Sequence, residues 1–152
     1  VSLGPGSFTG IRIGISVAKA LSVSTGANII GFSNFDSIFY QFLAMNTHKK
    51  IKNVEVLIKG PGDQFYKKMF NENKSREENY LVTKKELEGK KLNNSIIMAG
   101  NFLNTMKIKN YYFCLPDQLG IESIVKKLKK NLKAYEFLEP EPIYIKEHYA
   151  KK

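Results

Sequence analysis

A glycine-rich run near the amino terminus holds the residues whose types and spacing are best suited to chemistry. The run GPGSFTG joins an apolar segment to a helical pattern and supplies glycines, hydroxyls and, one turn later, an arginine: Gly4, Gly6, Ser7, Thr9 and Arg12. A strand, a glycine turn and a helix start bring free backbone N–H groups and the helix dipole together, which favours anion binding. The run lacks the lysine of a Walker A loop, and its glycine spacing is not that of a dinucleotide fingerprint. It predicts either an anion site or a tight turn with a good helix cap, and the capped turn is the simpler interpretation.

The other reactive side chains do not form a catalytic set. His48 and His148 stand far apart in the chain without a His or Cys neighbour, whereas a zinc site needs several close ligands. Ser7 has no base nearby, and Cys114 lies in an apolar segment typical of a core. The three aspartates stand at two helix starts and in one turn, at Asp36, Asp117 and Asp63. The sequence therefore predicts a non-enzymatic protein with no catalytic residue, no metal and no cofactor.

Length and charge are compatible with one soluble domain and leave the partner open. The chain has 152 residues, and its 24 basic and 14 acidic residues give a net charge of +10. Nearly all of the basic residues are lysines, which offer phosphates a point charge and not the paired contacts of arginine. One cysteine excludes a disulfide framework, and the sequence shows neither a membrane span nor a signal-peptide pattern. We therefore expect a cytoplasmic protein, without membrane association, for which an RNA or acidic partner is permitted but not indicated.

The first third of the chain reads as alternating short strands and helices. Residues 1–3 predict the end of a strand, and Ser7 or Thr9 can cap a helix that runs to about Ser24 with Gly26 as its stop. Residues 27–32 predict a short buried strand. Ser33 then begins a second helix over 34–45, where aromatic and aliphatic residues recur at helical spacing.

The rest of the chain predicts a hairpin followed by further strands and helices. Residues 54–58 and 65–70 flank a Gly-Pro-Gly-Asp turn, as two strands of a hairpin do. Residues 71–79 predict a polar, mobile loop. Strands are expected at 80–82, 95–99 and 111–115, short helices at 84–90 and 102–106, a long amphipathic helix from 117, and an extended tail at 143–145. This alternation predicts an α/β layered domain.

The first helix carries small residues at four-residue spacing. Gly10, Gly14 and Ala18 form a groove with little side chain in it, and apolar residues flank that groove on more than one side. Such spacing lets another helix approach closely, which is one reason to accept glycine within a helix. The approaching element is either the protein's own core or another subunit.

The lysines of residues 126–133 and the pair Tyr111 and Tyr112 are candidate RNA contacts. The five lysines stand opposite an apolar stripe, which is usual for the solvated face of a helix. The tyrosines could stack on bases, but at the end of a strand they are more often part of a core and its rim. Neither feature predicts direct binding of RNA.

Residues 4–21, GPGSFTGIRIGISVAKAL, resemble the signature of the bacterial TsaB (YeaZ) family, and residues 141–146, EPIYIK, resemble that family's Pro-x-Tyr-aliphatic-basic ending. The resemblance implies an actin-like, sugar-kinase-like (ribonuclease H-like) α/β fold of two lobes. We expect residues 1–48 to be the remainder of the amino-terminal lobe and residues 49–152 to be the carboxy-terminal lobe. Family members carry strands and a helix before the GPGSFTG run, so the amino-terminal lobe is expected to be incomplete here.

The resemblance also implies a function and an interface. It implies a non-catalytic partner subunit that binds and activates TsaD in the threonylcarbamoylation of tRNA adenosine, with TsaE joining through the complex, a possible homodimer, and tRNA contacted indirectly. The implied partner interface lies on the first helix, at Phe8, Gly10, Ile11, Gly14, Ile15 and Ala18. Residues 59–63, KGPGD, replace the arginine-containing stretch that family members often have there, so no role of those arginines is transferred. The alternatives are a nucleotide-binding ATPase, a glycoprotease-like peptidase remnant, or an inactive truncated lobe.

Overall fold

The structure is a computed structural model of the chain, and it describes residues 1–47, 53–71, 74–89, 97–102, 108, 110–129 and 139–145. Four helices and seven strands occur among these residues. In chain order they are β1 (Ser2–Gly4), α1 (Phe8–Thr25), β2 (Phe32–Ser33), α2 (Asn34–Met45), β3 (Asn53–Lys59), β4 (Gln64–Asn71), β5 (Lys74–Thr83), α3 (Lys84–Gly89), β6 (Ile97–Gly100), β7 (Tyr111–Phe113) and α4 (Gln118–Lys129).

The bounds of α1 follow from its two caps. The side chain of Ser7 accepts a hydrogen bond from the backbone N–H of Gly10 at 3.3 Å, which satisfies one of the free donors of the first turn. At the other end Gly26 has a φ of 69°, and its N–H donates to the carbonyl of Ser22 at 2.8 Å. The predicted helix and its stop are therefore confirmed.

The strand predicted at 27–32 is wrong in extent, because only Phe32–Ser33 forms β2. β2 pairs in parallel with β1, with Ser2 opposite Phe32 and Gly4 opposite Ser33. The backbone of Val1 also bonds to Ile30 and Phe32, at 2.6 Å and 3.0 Å, whereas Ala27 and Asn28 lie exposed before that contact.

Helix α2 begins and ends as predicted, and it provides four of the ten buried residues of the first core cluster. Ser33 caps it by accepting a hydrogen bond from the N–H of Phe35 at 3.1 Å. Phe35, Ile38 and Phe42 are completely buried. These side chains pack with one face of β3, formed by Val54, Val56 and Ile58.

Five strands form the larger sheet, in the order β5-β4-β3-β6-β7. β3 and β4 form the predicted antiparallel hairpin, with Val54 opposite Phe70 and Lys59 opposite Phe65. β6 and β7 continue the sheet in parallel with β3, so the predicted strands at 95–99 and 111–115 are present with slightly different bounds. The second face of β3 contributes Leu57 to another core cluster, which includes Phe65 and Leu87.

The loop predicted at 71–79 is wrong from residue 74 onward. β5 begins at Lys74 and pairs antiparallel with β4, with Asn71 opposite Lys74 and Lys68 opposite Asn79. Its polar sequence is compatible with its place at the end of the sheet, because edge strands accept charged side chains that interior strands exclude. The short helix predicted at 102–106 lies mostly outside the described residues.

Helices α2 and α4 approach each other closely at Gly120. A Cβ atom added to Gly120 would lie 2.2 Å from the carbonyl oxygen of Ser37 and 2.8 Å from its hydroxyl oxygen. The nearest obstacle is backbone, so it cannot rotate away as a flexible side chain could. Gly120 therefore sets the distance between the two helices.

We expect Gly120→Ala to lower the free energy of unfolding by about 1–3 kcal/mol, the usual cost of overpacking a core. The sign of this change in the free energy of unfolding is informative, because the same substitution in an unobstructed helix raises stability by about 0.5–1 kcal/mol. Urea denaturation measures the change, with Lys129→Ala on the exposed side of α4 as the control within about 0.5 kcal/mol of wild type. A stability equal to or above that of wild type would contradict the close approach of α2 and α4.

Candidate functional site

The glycine-rich run folds as a tight turn between β1 and α1. Gly4 has a φ of 96°, and a Cβ atom there would lie 2.7 Å from the side chain of Ile11. Gly4 and Pro5 are buried, whereas Gly6, Ser7 and Thr9 are exposed. The side-chain amide of Asn34 donates to the carbonyl of Pro5 at 3.0 Å, and this bond ties the turn to the start of α2.

The residues predicted as a possible anion site take part in structural contacts. Ser7 caps α1, as described above. Arg12 lies with its guanidinium 3.9 Å from the centre of the Phe8 ring, and it donates from Nε and Nη2 to the hydroxyl of Tyr144 at 3.2 Å and 2.9 Å. These contacts favour the interpretation as a capped turn, and anion binding stays a prediction.

The six residues of the predicted partner interface are divided between different sides of α1. Ile15 is buried and Ile11 is half-buried against the glycine turn, so both face the protein's own interior. Gly14 and Ala18 lie at the border of this side, where a Cβ atom on Gly14 would be 3.9 Å from the side chain of Val1. The other two, Phe8 and Gly10, are exposed. The small-residue groove thus borders the solvent and is partly covered by the protein itself.

A second side of α1 presents apolar residues to solvent, and we call it the outward face. Ile13, Val17 and Leu21 repeat every four residues and are 59%, 53% and 58% exposed. Small or hydroxyl residues complete this face: Gly10, Ala20 and Ser24. It contains no charged residue, because the two charged residues of α1, Arg12 and Lys19, belong to other sides of the helix. Contiguous exposed apolar surface of this kind is typical of a protein interface.

The sequence contained a signal for the outward face. The helix is apolar on more than one side, and the spacing of Ile13, Val17 and Leu21 marks the second side. The small-residue spacing led instead to the Gly10–Gly14–Ala18 side. Only the placement of β1 beneath Ile11 and Ile15 shows which of the two apolar sides is left without cover among the described residues.

The remaining reactive side chains are used in packing. Cys114 is 1% exposed, and burial, followed by the nearby Asp117, raises the pKa of its thiol to about 11. Burial also raises the pKa of Tyr111 to about 12, and its hydroxyl donates to the carbonyl of Phe102 at 2.6 Å. Tyr112 packs edge-on against Phe42, with ring centres 5.0 Å apart. Both tyrosines therefore contribute to the core and its rim.

The three aspartates lie at two helix starts and in one turn. Asp117 caps α4 by accepting from the N–H of Gly120 at 3.0 Å. Burial raises the pKa of Asp36, and the positive charges of Lys68 and Lys127 oppose that shift. Asp63 lies exposed in the hairpin turn. Among the residues that the structure describes, no three His, Cys, Asp or Glu side chains are grouped to hold a metal ion, and His48 and His148 lie outside those residues.

The described lysines of α4 make contacts within the protein. Lys127 donates to the hydroxyl of Tyr40 and lies 5.0 Å from the centre of that ring. Lys126 lies 3.8 Å from Glu122, one turn earlier on the same helix. Lys129 is exposed, and the two later lysines lie outside the described residues. This arrangement favours a solvated helix face. None of the described helices has the length and hydropathy needed to cross a membrane.

Comparison with solved structures identifies the fold of the chain. Two solved structures match 95% of this chain with a TM-score of 0.69 at 17% sequence identity. One is YeaZ from Pseudomonas aeruginosa, and the other is described as an uncharacterized protein from the same organism with similarity to peptidase YEAZ; the match covers 72% and 71% of them. The protein therefore has the predicted α/β fold, and it shares this fold with the two structures.

The sequence comparisons cover less than half of the chain. A family model described as TsaD, tRNA N6-adenosine threonylcarbamoyltransferase, matches residues 1–67. The tRNA threonylcarbamoyladenosine biosynthesis protein TsaB of Buchnera aphidicola subsp. Schizaphis graminum (strain Sg) is 40% identical over 57 residues, which are 38% of this chain and 25% of that protein. Together with the shared fold, this match supports the resemblance to the TsaB (YeaZ) family. The matched part spans about a quarter of the length of that curated relative.

Burial and the raised thiol pKa predict that Cys114 is unreactive in the folded protein. At pH 8 the change in pKa from 9.0 to about 11 lowers the thiolate fraction roughly 100-fold, and burial hinders access further. We expect Ellman's reagent to label native Cys114 at least about 100-fold more slowly than the same protein in guanidinium chloride. Equal labelling rates in the two conditions would show that the thiol is accessible and would contradict this prediction.

Proposed function

We propose that this chain acts in the formation of threonylcarbamoyladenosine on tRNA, as a non-catalytic partner subunit that docks on TsaD and activates it. The observation that carries the proposal is the outward face of α1, an exposed apolar surface on the same helix that carries the family signature. The match to the TsaB relative supports the choice of process.

The chemistry of the site supports docking more than catalysis. Several side chains of the types that act as nucleophiles or acids in enzymes have structural roles here: Ser7 and Asp117 cap helices, and Cys114 is buried. The outward face, in contrast, offers apolar area whose burial against a partner is favourable, at about 25 cal/mol per Å² before the costs of association. A subunit of this kind acts by the surface it presents.

The resemblance to the TsaB family supplies the proposed partners. TsaD is the proposed docking partner, TsaE joins through the complex with TsaD, and tRNA is contacted through the assembled complex and not by this chain directly. A second copy of the chain can use the same apolar face, so a homodimer would compete with the heterodimer. The proposed setting is the cytoplasm.

We expect Val17→Glu to weaken binding to TsaD by at least about 30-fold, because it places a charge at the centre of the outward face, where truncations at interface hot spots cost 2 kcal/mol or more. Isothermal titration calorimetry measures the affinity, and threonylcarbamoylation of tRNA by TsaD with and without the chain measures activation. Val23→Glu is the matched control, because Val23 is 88% exposed on a different side of the same helix. Equal affinities for wild type and Val17→Glu would remove the outward face from the interface.

Gly14→Leu tests the small-residue groove separately. If TsaD also contacts the groove, leucine should abolish co-purification while the circular dichroism spectrum stays unchanged. Gly14→Ala is the milder control, because a Cβ atom there has ordinary van der Waals contact with Val1. Normal binding by Gly14→Leu together with lost binding by Val17→Glu would confine docking to the outward face.

A further inference from the structure

Residues 139–145 lie against the amino-terminal part of the chain, and we call this segment the clasp. The N–H of Ile143 donates to the carbonyl of Leu3 at 2.8 Å, so the clasp continues beside β1. Glu139 lies 3.6 Å from Lys19 in the middle of α1. The clasp thus touches both the strand beneath α1 and the helix itself.

Tyr144 makes the most specific of these contacts. Its hydroxyl accepts two hydrogen bonds from the guanidinium of Arg12, and its ring centre lies 6.0 Å from that of Phe8. The guanidinium is stacked on the Phe8 ring at the same time. Arginine holds such planar, paired contacts better than lysine, because its donors form a fixed fork. Two residues of the first helical turns are therefore held by one residue that follows them by more than a hundred positions.

The other end of the clasp reaches the larger half of the structure. Ile145 packs against the core cluster formed by α2 and β3. Between the clasp and the glycine turn lies a cavity of about 220 Å³, with Tyr66 of β4 and Ile11 of α1 among its lining residues. The clasp therefore connects α1 to the five-stranded sheet as well as to β1.

Helix α1 has little else to fix its direction. Its packing among the described elements is mainly on the three-residue β1, and three large apolar residues of its outward face are more than half exposed. A helix held by so small a sheet can pivot, and a pivoting surface loses affinity because binding must first order it. The clasp supplies the contacts that a longer strand would otherwise provide.

We infer that the clasp fixes the orientation of α1, and that Tyr144, acting through Arg12, is a positioning residue for docking on the outward face. This inference rests on the docking function proposed above. Tyr144 raises the partner affinity by keeping α1 in the orientation that the partner binds.

The test compares Tyr144→Ala and Tyr144→Phe with Glu141→Gln, an exposed residue of the clasp. We expect Tyr144→Ala to weaken TsaD binding about tenfold or more and to speed hydrogen exchange of the first turns of α1 in the isolated protein. Tyr144→Phe keeps the ring and loses the acceptor, so it should fall between Tyr144→Ala and wild type. Glu141→Gln should match wild type in both measurements.

Leu87→Ala separates positioning from general loss of stability. Leu87 is buried in the second core cluster, on the face of β3 away from the clasp, so this change should leave TsaD affinity unchanged while it lowers the denaturation midpoint. Equal losses of affinity in Leu87→Ala and Tyr144→Ala would overturn the positioning role. So would wild-type affinity in Tyr144→Ala, or unchanged exchange in α1. Absence of TsaD binding by the wild-type chain would instead refute the docking function, whereas wild-type binding that is insensitive to Tyr144 refutes the clasp alone.

Discussion

The burial of α2 is the constraint on which the rest of the structure depends. Phe35, Ile38 and Phe42 are fully enclosed, and the helix contacts β1, β2, β3, β6 and α4. One apolar stripe would suffice for a helix packed on one layer, but α2 lies between the small sheet, the large sheet and α4. The close contact at Gly120 and the cap at Ser33 both serve to hold α2 in this place. The two sheets therefore share one core element, although no strand joins them in the described part of the chain.

Helix α1, in contrast to α2, is covered on one side only by the described elements. It is well capped, but its own sheet has only two short strands, so the inward stripe around Ile11 and Ile15 has a small surface to cover. The apolar residues on the outward face are then left exposed. In a soluble protein such exposure is costly unless a partner covers it, because it promotes nonspecific association. Contacts from the clasp at Arg12 and Lys19 add to the packing of α1 on β1.

Local signals were sufficient to predict α1, α2 and the hairpin, because each is bounded by a cap or a turn that a few neighbouring residues determine. The bonds from Ser7 to Gly10 and from Gly26 to Ser22 are examples. The strand at 27–32 is predicted too long, and β5 is predicted only at 80–82. The extent of both strands depends on the length and position of a partner strand, which local sequence does not specify. The same holds for the candidate site. The signature located the helix, but the exposed side of that helix depends on where β1 lies, and the contact between Arg12 and Tyr144 joins residues 132 positions apart.

The roles of the polar and apolar side chains agree with the proposed docking function. Polar groups that could have done chemistry satisfy backbone donors or close the helix starts, as Ser7 and Asp117 do. The thiol of Cys114 is enclosed, and its raised pKa keeps it protonated at neutral pH. What α1 presents outward is apolar and uncharged, which under the proposed docking function favours an apolar partner surface, with specificity from shape and orientation. A surface of that kind works well only when it is held still. The contact between Tyr144 and Arg12 therefore acts on the same helix that carries the signature residues, where a fixed orientation matters most for docking.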